Sequence, residues 1–127
     1  MFEEKVILEN DTLKLKPINE QGLADFIEYS TNIEFYKYLE YQVFDKKDCV
    51  SYFLRMIEFM EKNERFYWFI TKKNDGKVIG TFGLRNFDFK KKSVEISYGI
   101  SPKFWNKGYF KTSLKLVLDF LFLEKKF

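Results

Sequence analysis

The segment WNKGYFKT, residues 105 to 112, holds a glycine among lysines and is the first place where the residue types could do chemistry. It follows a strand-like segment and precedes an apolar helical pattern. At such a junction the first amide groups of a helix have no partners within the helix, and the helix dipole is positive, so the turn around Gly108 could bind phosphate. Lys103, Lys107, Lys111 and Lys115 recur every four residues and would add positive charge. The alternative is an ordinary solvated lysine face.

Composition excludes several kinds of catalytic site. The chain has no histidine and a single cysteine, Cys49, so it cannot build a Ser-His-Asp or Cys-His site, a cysteine-rich zinc site or an internal disulfide. Catalysis would have to use carboxylates, tyrosines, lysines, water or backbone groups. Cys49 falls in a helical pattern and is interpreted as a buried structural thiol. The chain also lacks GxGxxG and the glycine spacing of a P-loop, which argues against nucleotide hydrolysis.

Length and charge predict one compact domain that spans residues 1–127. Apolar residues make up 46% of the chain and aromatic residues 20%, which is enough for a large hydrophobic core. The net charge is only +3 and the lysines alternate with glutamates, so a nucleic-acid partner is not expected, although a small anionic ligand is. No leader pattern is present and no apolar run approaches the roughly 20 residues of a membrane span. We therefore predict a cytoplasmic location and no membrane partner.

Hydrophobic periodicity divides the chain into alternating elements. TLKLKP, residues 12–17, predicts a half-buried strand, and residues 19–28 and the segment NIEFYKYL predict short helices. Residues 45–61 predict a longer helix that Asp45 could cap. Its apolar face should contain the following residues: Val50, Phe53, Leu54, Ile57 and Met60.

Three strands in succession are predicted next, and a final helix follows them. FYWFIT and KVIGTFGLRNF flank Asp75-Gly76, a typical hairpin turn, and SVEISYGIS follows three lysines. The last helix should run from about Lys107 to Leu123, with its apolar face formed by Leu114, Val117, Leu118, Leu121 and Phe122. The order of elements predicts an α+β fold in which helices pack on a mainly antiparallel sheet.

The sequence resembles the GNAT N-acetyltransferases, closest to the Rim-type branch that acetylates protein α-amino groups. The resemblance rests on several segments in order: the early strand and paired helices, TNIEFYKYL, DGKVIGTFGL, EISYGISP, and WNKGYFKTSLKLVLDFLF. It implies a GNAT-like mixed, mainly antiparallel sheet flanked by helices. It also implies acetyl-CoA as co-substrate and an amine as acceptor.

The resemblance implies where acetyl-CoA would bind. The family's pyrophosphate loop falls on Trp105, Asn106, Lys107, Gly108, Tyr109 and Phe110, and Lys111 would add positive charge. Backbone groups of Tyr98, Gly99 and Ile100 would pair with the pantetheine amides as an added strand does. Two positions depart from the family pattern: Asn106 replaces a frequent glycine, and Phe110 stands where the family has Gly or Ala. Asparagine tolerates left-handed backbone conformations, whereas the phenylalanine ring would block the pyrophosphate unless it turns into the core.

Glu95 matches a position where some family members carry a general base. An ammonium must lose a proton before it attacks a thioester, and a carboxylate can accept that proton through water. Strand alternation places Glu95 with Ser97 and Gly99 on one face of the sheet. The alternative is an ordinary exposed glutamate. Arg85 and Asn86, and the aromatic residues Phe35, Tyr36 and Tyr38, are weaker candidates for the acceptor side.

The family fold continues beyond the helix at which this sequence ends, so the resemblance suggests that the C-terminal part of the fold is missing. We expect that the uncovered strand edge and the face containing Leu118, Leu121 and Phe122 would promote self-association. The primary functional hypothesis is acetyl transfer from acetyl-CoA to a primary amine, on a protein N-terminus or a small molecule. The alternative is a non-catalytic GNAT-like binding or assembly module. An aromatic-rich nucleic-acid binder is a third, weaker hypothesis.

Overall fold

A five-stranded antiparallel sheet organises the protein in the computed structural model, which describes residues 6–37, 44–125 and 127. The strands are β1 (Leu8–Glu9), β2 (Leu13–Pro17), β3 (Arg65–Lys72), β4 (Val78–Asp88) and β5 (Ser93–Ile100), and they lie in chain order across the sheet. Every pairing in the described sheet is antiparallel. The predicted meander of three strands and the α+β class are confirmed, whereas the two-residue strand β1 was not predicted.

Three α-helices cover the two faces of this sheet. They are α1 (Leu23–Ser30), α2 (Lys46–Glu61) and α3 (Tyr109–Asp119), which continues as a π-helical segment, Phe120–Glu124. Short 3-10 turns occupy Glu20–Gly22, Ile33–Tyr36 and Pro102–Phe104. The predicted helix over residues 19–28 is thus a 3-10 turn followed by α1. Tyr38, one of the aromatic candidates, lies outside the described residues.

The sheet separates two hydrophobic clusters. On one face, Trp68, Ile79 and Phe82 pack with Val117 and Leu121 of the C-terminal helical segment. On the other face, Phe69 and Val78 pack with Phe26 of α1 and with Phe53 of α2. Alternate residues of β3 therefore enter different clusters, as strand geometry requires. We call the face of the sheet that carries α3 the α3 side, and the face that carries α1 and α2 the α1–α2 side. The edge formed by β5 lies between these two faces.

Helix α2 begins at the predicted position but buries a different face. Asp45 accepts a hydrogen bond from the Asp48 amide and Asp48 accepts one from the Asp45 amide, which completes a capping box. The buried residues are Cys49, Phe53 and Met56, whereas Leu54 is 60% exposed. The prediction that Leu54 lies on the core face was wrong. Cys49 is fully buried, as expected for a structural thiol.

The C-terminal helical segment also differs from its prediction. It starts at Tyr109, two residues after the expected position, because Gly108 has a left-handed backbone with φ +82°. Leu121 is buried beside Trp68 and Phe120, so the expectation that it is uncovered was wrong. Phe122 and Leu123 remain exposed. Among the described helices, none has the length and apolar composition needed to cross a lipid bilayer.

Candidate functional site

The loop between β5 and α3 presents a row of amide groups. Asn106 and Gly108 both adopt left-handed conformations, with φ of +61° and +82°. The first amide of this stretch that donates to the protein is that of Thr112, which bonds to the Gly108 carbonyl at 3.1 Å. Within the described part of the chain, no protein acceptor is paired with the amides of residues 106 to 111. Consecutive free donors at the start of a helix are a feature to which anions commonly bind.

Within the described sheet, strand β5 offers an unpaired edge beside this loop. The Ser101 amide donates to the Ile79 carbonyl at 2.7 Å, so the alternate polar groups of Tyr98 and Ile100 point away from β4. The Trp105 indole N–H donates to the Ile100 carbonyl at 2.7 Å and so joins the loop to the edge. Of the three predicted pantetheine-binding residues, Tyr98 and Ile100 direct backbone groups outward, whereas the backbone groups of Gly99 point towards β4.

Phe110 turns away from the loop and packs against β5. Its ring lies 4.1 Å from the ring of Tyr98, measured between centroids, with an interplanar angle of 33°. The Tyr98 ring in turn stacks on Phe82 of the core at 6.2 Å. The side chain that replaces a small family residue thus joins the hydrophobic cluster on the α3 side. Its backbone amide remains in the row described above.

The lysines around the loop have different partners. Lys103 pairs with Glu28 at 3.1 Å and Lys115 pairs with Asp119 at 2.9 Å. Among the described residues, no carboxylate lies within ion-pair distance of Lys107 or Lys111. The expected stripe of four equivalent charges is therefore reduced to two unneutralised lysines beside the loop. A cavity of about 350 Å³ adjoins the loop; among its lining residues are Lys72, Lys73, Lys107 and Gly108.

Glu95 lies five residues before the end of β5, on the face that carries α1 and α2. Its carboxylate accepts hydrogen bonds from Arg85 at 2.7 and 3.0 Å and from Asn86 at 2.6 Å. These bonds, with that from Asn86 the strongest influence, lower the pKa of Glu95 below its ordinary value of 4.5. Arg85 and Asn86, which the sequence offered as weak candidates, thus hold the proposed base in a fixed orientation.

Aromatic side chains cover the C-terminal end of β5 from the α1 side. The ring of Phe35 lies against Gly99, so close that a β-carbon there would come within 2.6 Å of it. Phe35 also contacts Tyr29 and Tyr36, with ring centroids 5.3 and 5.1 Å apart. Gly99 is therefore required by this close approach. Across the described residues, no group of three or more His, Cys, Asp or Glu side chains is arranged to hold a metal ion.

The model of the acetyltransferase (GNAT) domain family matches residues 12–127, which is most of the chain. The chain belongs to the GNAT acetyltransferase family. The predicted resemblance and the predicted GNAT-like fold are thereby confirmed.

The GNAT family members that this chain resembles are longer than it. The uncharacterized N-acetyltransferase YoaA of Bacillus subtilis is 24% identical over 117 residues, which are 91% of this chain and 66% of YoaA. A Vibrio cholerae protein assigned as a ribosomal-protein-serine acetyltransferase superposes with a TM-score of 0.83 at 13% identity, over 98% of this chain and 71% of that protein. The chain therefore spans about two thirds of the length of these relatives.

One neighbour was solved with coenzyme A bound. RimL, a ribosomal L7/L12 α-N-protein acetyltransferase in complex with coenzyme A, superposes with a TM-score of 0.68 at 15% identity. The match covers 89% of this chain and 66% of RimL. At this identity the likeness establishes the shared fold alone.

Proposed function

We propose that this GNAT protein is an acetyl-CoA-dependent N-acetyltransferase whose acceptor is a primary amine on a protein N-terminus or a small molecule. The observation that carries the proposal is the row of six amides at residues 106–111, for which the described residues supply no acceptor. Several N–H donors at the positive end of a helix suit a negatively charged group such as a pyrophosphate. The folding of Phe110 onto Tyr98 supports the proposal because it keeps the ring away from these amides.

The neighbouring strand supplies the second part of the proposed cofactor site. The outward backbone groups of Tyr98 and the outward amide of Ile100 can pair with a pantetheine arm, as an added strand would. The arm would then run from the loop along β5 towards Glu95. Trp105 would hold loop and edge in one geometry through its bond to the Ile100 carbonyl. Lys107 and Lys111 would contribute long-range attraction for the phosphates.

The proposed reaction is a direct transfer. The amine nitrogen forms a bond to the acetyl carbonyl carbon, the carbon–sulfur bond breaks, and the sulfur leaves as a thiolate. The ammonium form of the acceptor releases one proton before attack. The nitrogen releases a second proton after attack, and the thiolate takes this second proton. In this proposal Glu95 passes the first proton to solvent through water. Its lowered pKa keeps it ionised and makes it a weak base, so its contribution would depend on rapid exchange with water.

Two measurements test the proposal. Calorimetry with acetyl-CoA should give a binding signal that Gly108→Val removes, since the variant adds a side chain at the phosphate turn. An assay that detects free coenzyme A thiol should show turnover with an amine acceptor. Glu95→Gln should lower turnover without a comparable loss of cofactor affinity, and the loss should shrink at high pH, where the amine is already neutral. Equal acetyl-CoA affinity in wild type and Gly108→Val would remove the cofactor assignment.

A second candidate function is a GNAT-like binding or assembly module without catalysis. The pairing of Glu95 with Arg85 and Asn86 favours it, because a carboxylate held by three hydrogen bonds is a poor proton acceptor. This candidate predicts acetyl-CoA binding without release of thiol for any amine. It would be supported if acetyl-CoA bound to the wild-type protein and no amine acceptor released thiol above the level seen without protein.

We also propose that the β5 edge mediates self-association when acetyl-CoA is absent. The edge is unpaired in the described sheet, and Phe122 and Leu123 are 55% and 72% exposed. If pantetheine uses the same edge, acetyl-CoA should shift the protein towards monomer. Sedimentation velocity with and without acetyl-CoA would measure this shift, and a cofactor-independent monomer would contradict it.

A further inference from the structure

The arginines of this protein are concentrated at one place. The chain contains 22 lysines and arginines, and only three of them are arginines: Arg55, Arg65 and Arg85. Arg65 and Arg85 are direct partners across β3 and β4, and Arg85 is the direct partner of Glu95 across β4 and β5. Arg55 lies on α2, the helix that packs on β3. A chain that uses lysine nearly everywhere else thus uses arginine only here.

The pairing of Arg65 with Arg85 is energetically unfavourable unless an anion is nearby. Residues directly opposite in an antiparallel pair have β-carbons about 5 Å apart, and like charges there repel. Arg85 is neutralised by Glu95. Among the described residues, no carboxylate lies within ion-pair distance of Arg55 or Arg65. Of the three guanidinium groups, only that of Arg85 thus has an ion-pair partner among the described residues.

Aromatic and hydroxyl groups hold these arginines in position. The Arg65 guanidinium lies 4.0 Å from the centroid of the Phe59 ring and donates to the Tyr67 hydroxyl at 3.2 Å. The Arg55 guanidinium lies 5.7 Å from the centroid of the Tyr52 ring. Burial raises the pKa of Tyr52, and the charges of Arg65, Arg85 and Arg55 all oppose that shift, which indicates that the three act on one region. Guanidinium groups stacked on rings keep their planar N–H donors available for a carboxylate.

The cluster lies at the end of β5 opposite to the proposed phosphate loop. Five residues separate Glu95 from Ile100, which corresponds to roughly 17 Å along a strand. Glu95, Arg85, Arg65 and Tyr67 occupy the face that carries α1 and α2, as the cluster around Tyr67 and Phe69 indicates. A phosphate at residues 106–111 cannot reach these arginines. Their position beside Glu95 places them next to the amine that Glu95 would deprotonate.

We infer that Arg55 and Arg65, with Arg85 behind them, form an acceptor-binding site for carboxylates that lie close to the reactive amine. The acceptor class is therefore an acidic one, such as a peptide N-terminus followed by acidic residues, and polyamines are repelled. This inference rests on the proposed function for its acceptor role. Arginine suits the task because it binds a carboxylate with two parallel N–H bonds, which lysine cannot do.

Three amidated peptides that differ only after an N-terminal serine test the selectivity: Ser-Glu-Glu, Ser-Gln-Gln and Ser-Lys-Lys, each continued by the same residues. We expect kcat/KM for the acidic peptide to exceed that for the neutral one about fivefold or more, mainly through KM, with the basic peptide poorest. Arg55→Gln/Arg65→Gln should remove the preference, and about 0.5 M salt should weaken it. Lys62→Gln, which removes an exposed positive charge at the C-cap of α2, is the matched control. Free glutamate distinguishes a small-molecule acceptor from a peptide.

A direct binding measurement separates this inference from the proposed function. Selective ¹⁵N-arginine labelling of the full chain should give three Nε–H signals, which single variants assign. The Ser-Glu-Glu peptide should shift the Arg55 and Arg65 signals, and Ser-Lys-Lys should not. Arg65→Lys, which keeps the charge but loses the planar donors, should bind more weakly than wild type. Arg55→Gln alone tests the site without disturbing the contacts of Arg65.

Shifts at Arg55 and Arg65 without turnover of any peptide would support the anion site and reject acetyl transfer. Turnover with equal kcat/KM for the three peptides would support acetyl transfer and overturn the inference. An acidic preference that survives Arg55→Gln/Arg65→Gln, or arginine signals that do not move with the acidic peptide, would also overturn it.

Discussion

The ring of Phe110 packs against the ring of Tyr98 with centroids 4.1 Å apart, so the first turn of α3 is fixed to the strand that precedes the loop. A large residue occurs here without blocking the row of amides, because its side chain enters the cluster on the α3 side of the sheet. Loop conformation and core packing are therefore coupled through one aromatic contact.

Phe110→Ala should reduce stability while leaving the amides of the loop in place. The variant loses a ring contact that is partly buried, so we expect a cost of about 1–2 kcal/mol in the free energy of unfolding. The free energy of acetyl-CoA binding should fall by less than the free energy of unfolding, because the backbone N–H groups remain. Urea unfolding and calorimetry measure the two effects. Phe122→Ala, at an exposed position of the adjoining π-helical segment, is the control and should change neither much.

Substitution of Gly108 should affect cofactor binding and stability together. Its φ of +82° disfavours other residues, although a β-carbon would meet no atom within 4 Å, so Gly108→Ala should cost about 1–2 kcal/mol. Gly76, with φ +73° in the β3–β4 hairpin, also has open space around it. Gly76→Ala should therefore destabilise similarly without lowering acetyl-CoA affinity. A loss of affinity of the same size in both variants would contradict a specific role for the loop.

Asn86→Ala should raise the pKa of Glu95. The Asn86 amide is the largest influence that lowers this pKa below 4.5, and Arg85 is the next. Since the folded-state pKa is depressed, the stabilisation by ionised Glu95 is complete above about pH 4.5 and is lost as the pH falls through the folded-state value. Carboxyl ¹³C chemical shifts followed against pH would report the titration. Asn74→Ala, in an exposed turn, should leave the Glu95 curve unchanged.

The Tyr29 hydroxyl is hydrogen-bonded to Thr81 between α1 and β4 and should contribute to stability. Burial raises the pKa of the Tyr29 phenol, so the group stays neutral and the bond persists across the ordinary pH range. Tyr29→Phe should cost about 1 kcal/mol because Thr81 loses its partner. When Thr81→Val is combined with Tyr29→Phe, two apolar groups face each other. The double variant should therefore lose less stability than the sum of the losses in the two single variants. Strict additivity in urea unfolding would show that the bond contributes nothing.

Local sequence patterns determined most of the elements and their ends. The Asp45 cap, the Asp75-Gly76 turn and the alternation in β3 to β5 depend on residues close in the chain, so their physical causes are visible in the sequence. The absence of histidine likewise excluded whole classes of catalytic site. The left-handed conformation of Asn106 agrees with the tolerance expected of asparagine at that position.

Tertiary structure alone decided which faces are buried and which charges meet. The rotation of α2 against β3 placed Met56 inside and Leu54 outside, and the π-helical segment brought Leu121 into the core. The composition could have drawn attention to the arginines, since only three occur, but only the registers of β3, β4 and β5 bring Arg65, Arg85 and Glu95 into one row. Those residues are separated by up to 30 positions, and cross-strand register depends on the packing of the whole sheet, which no local pattern encodes.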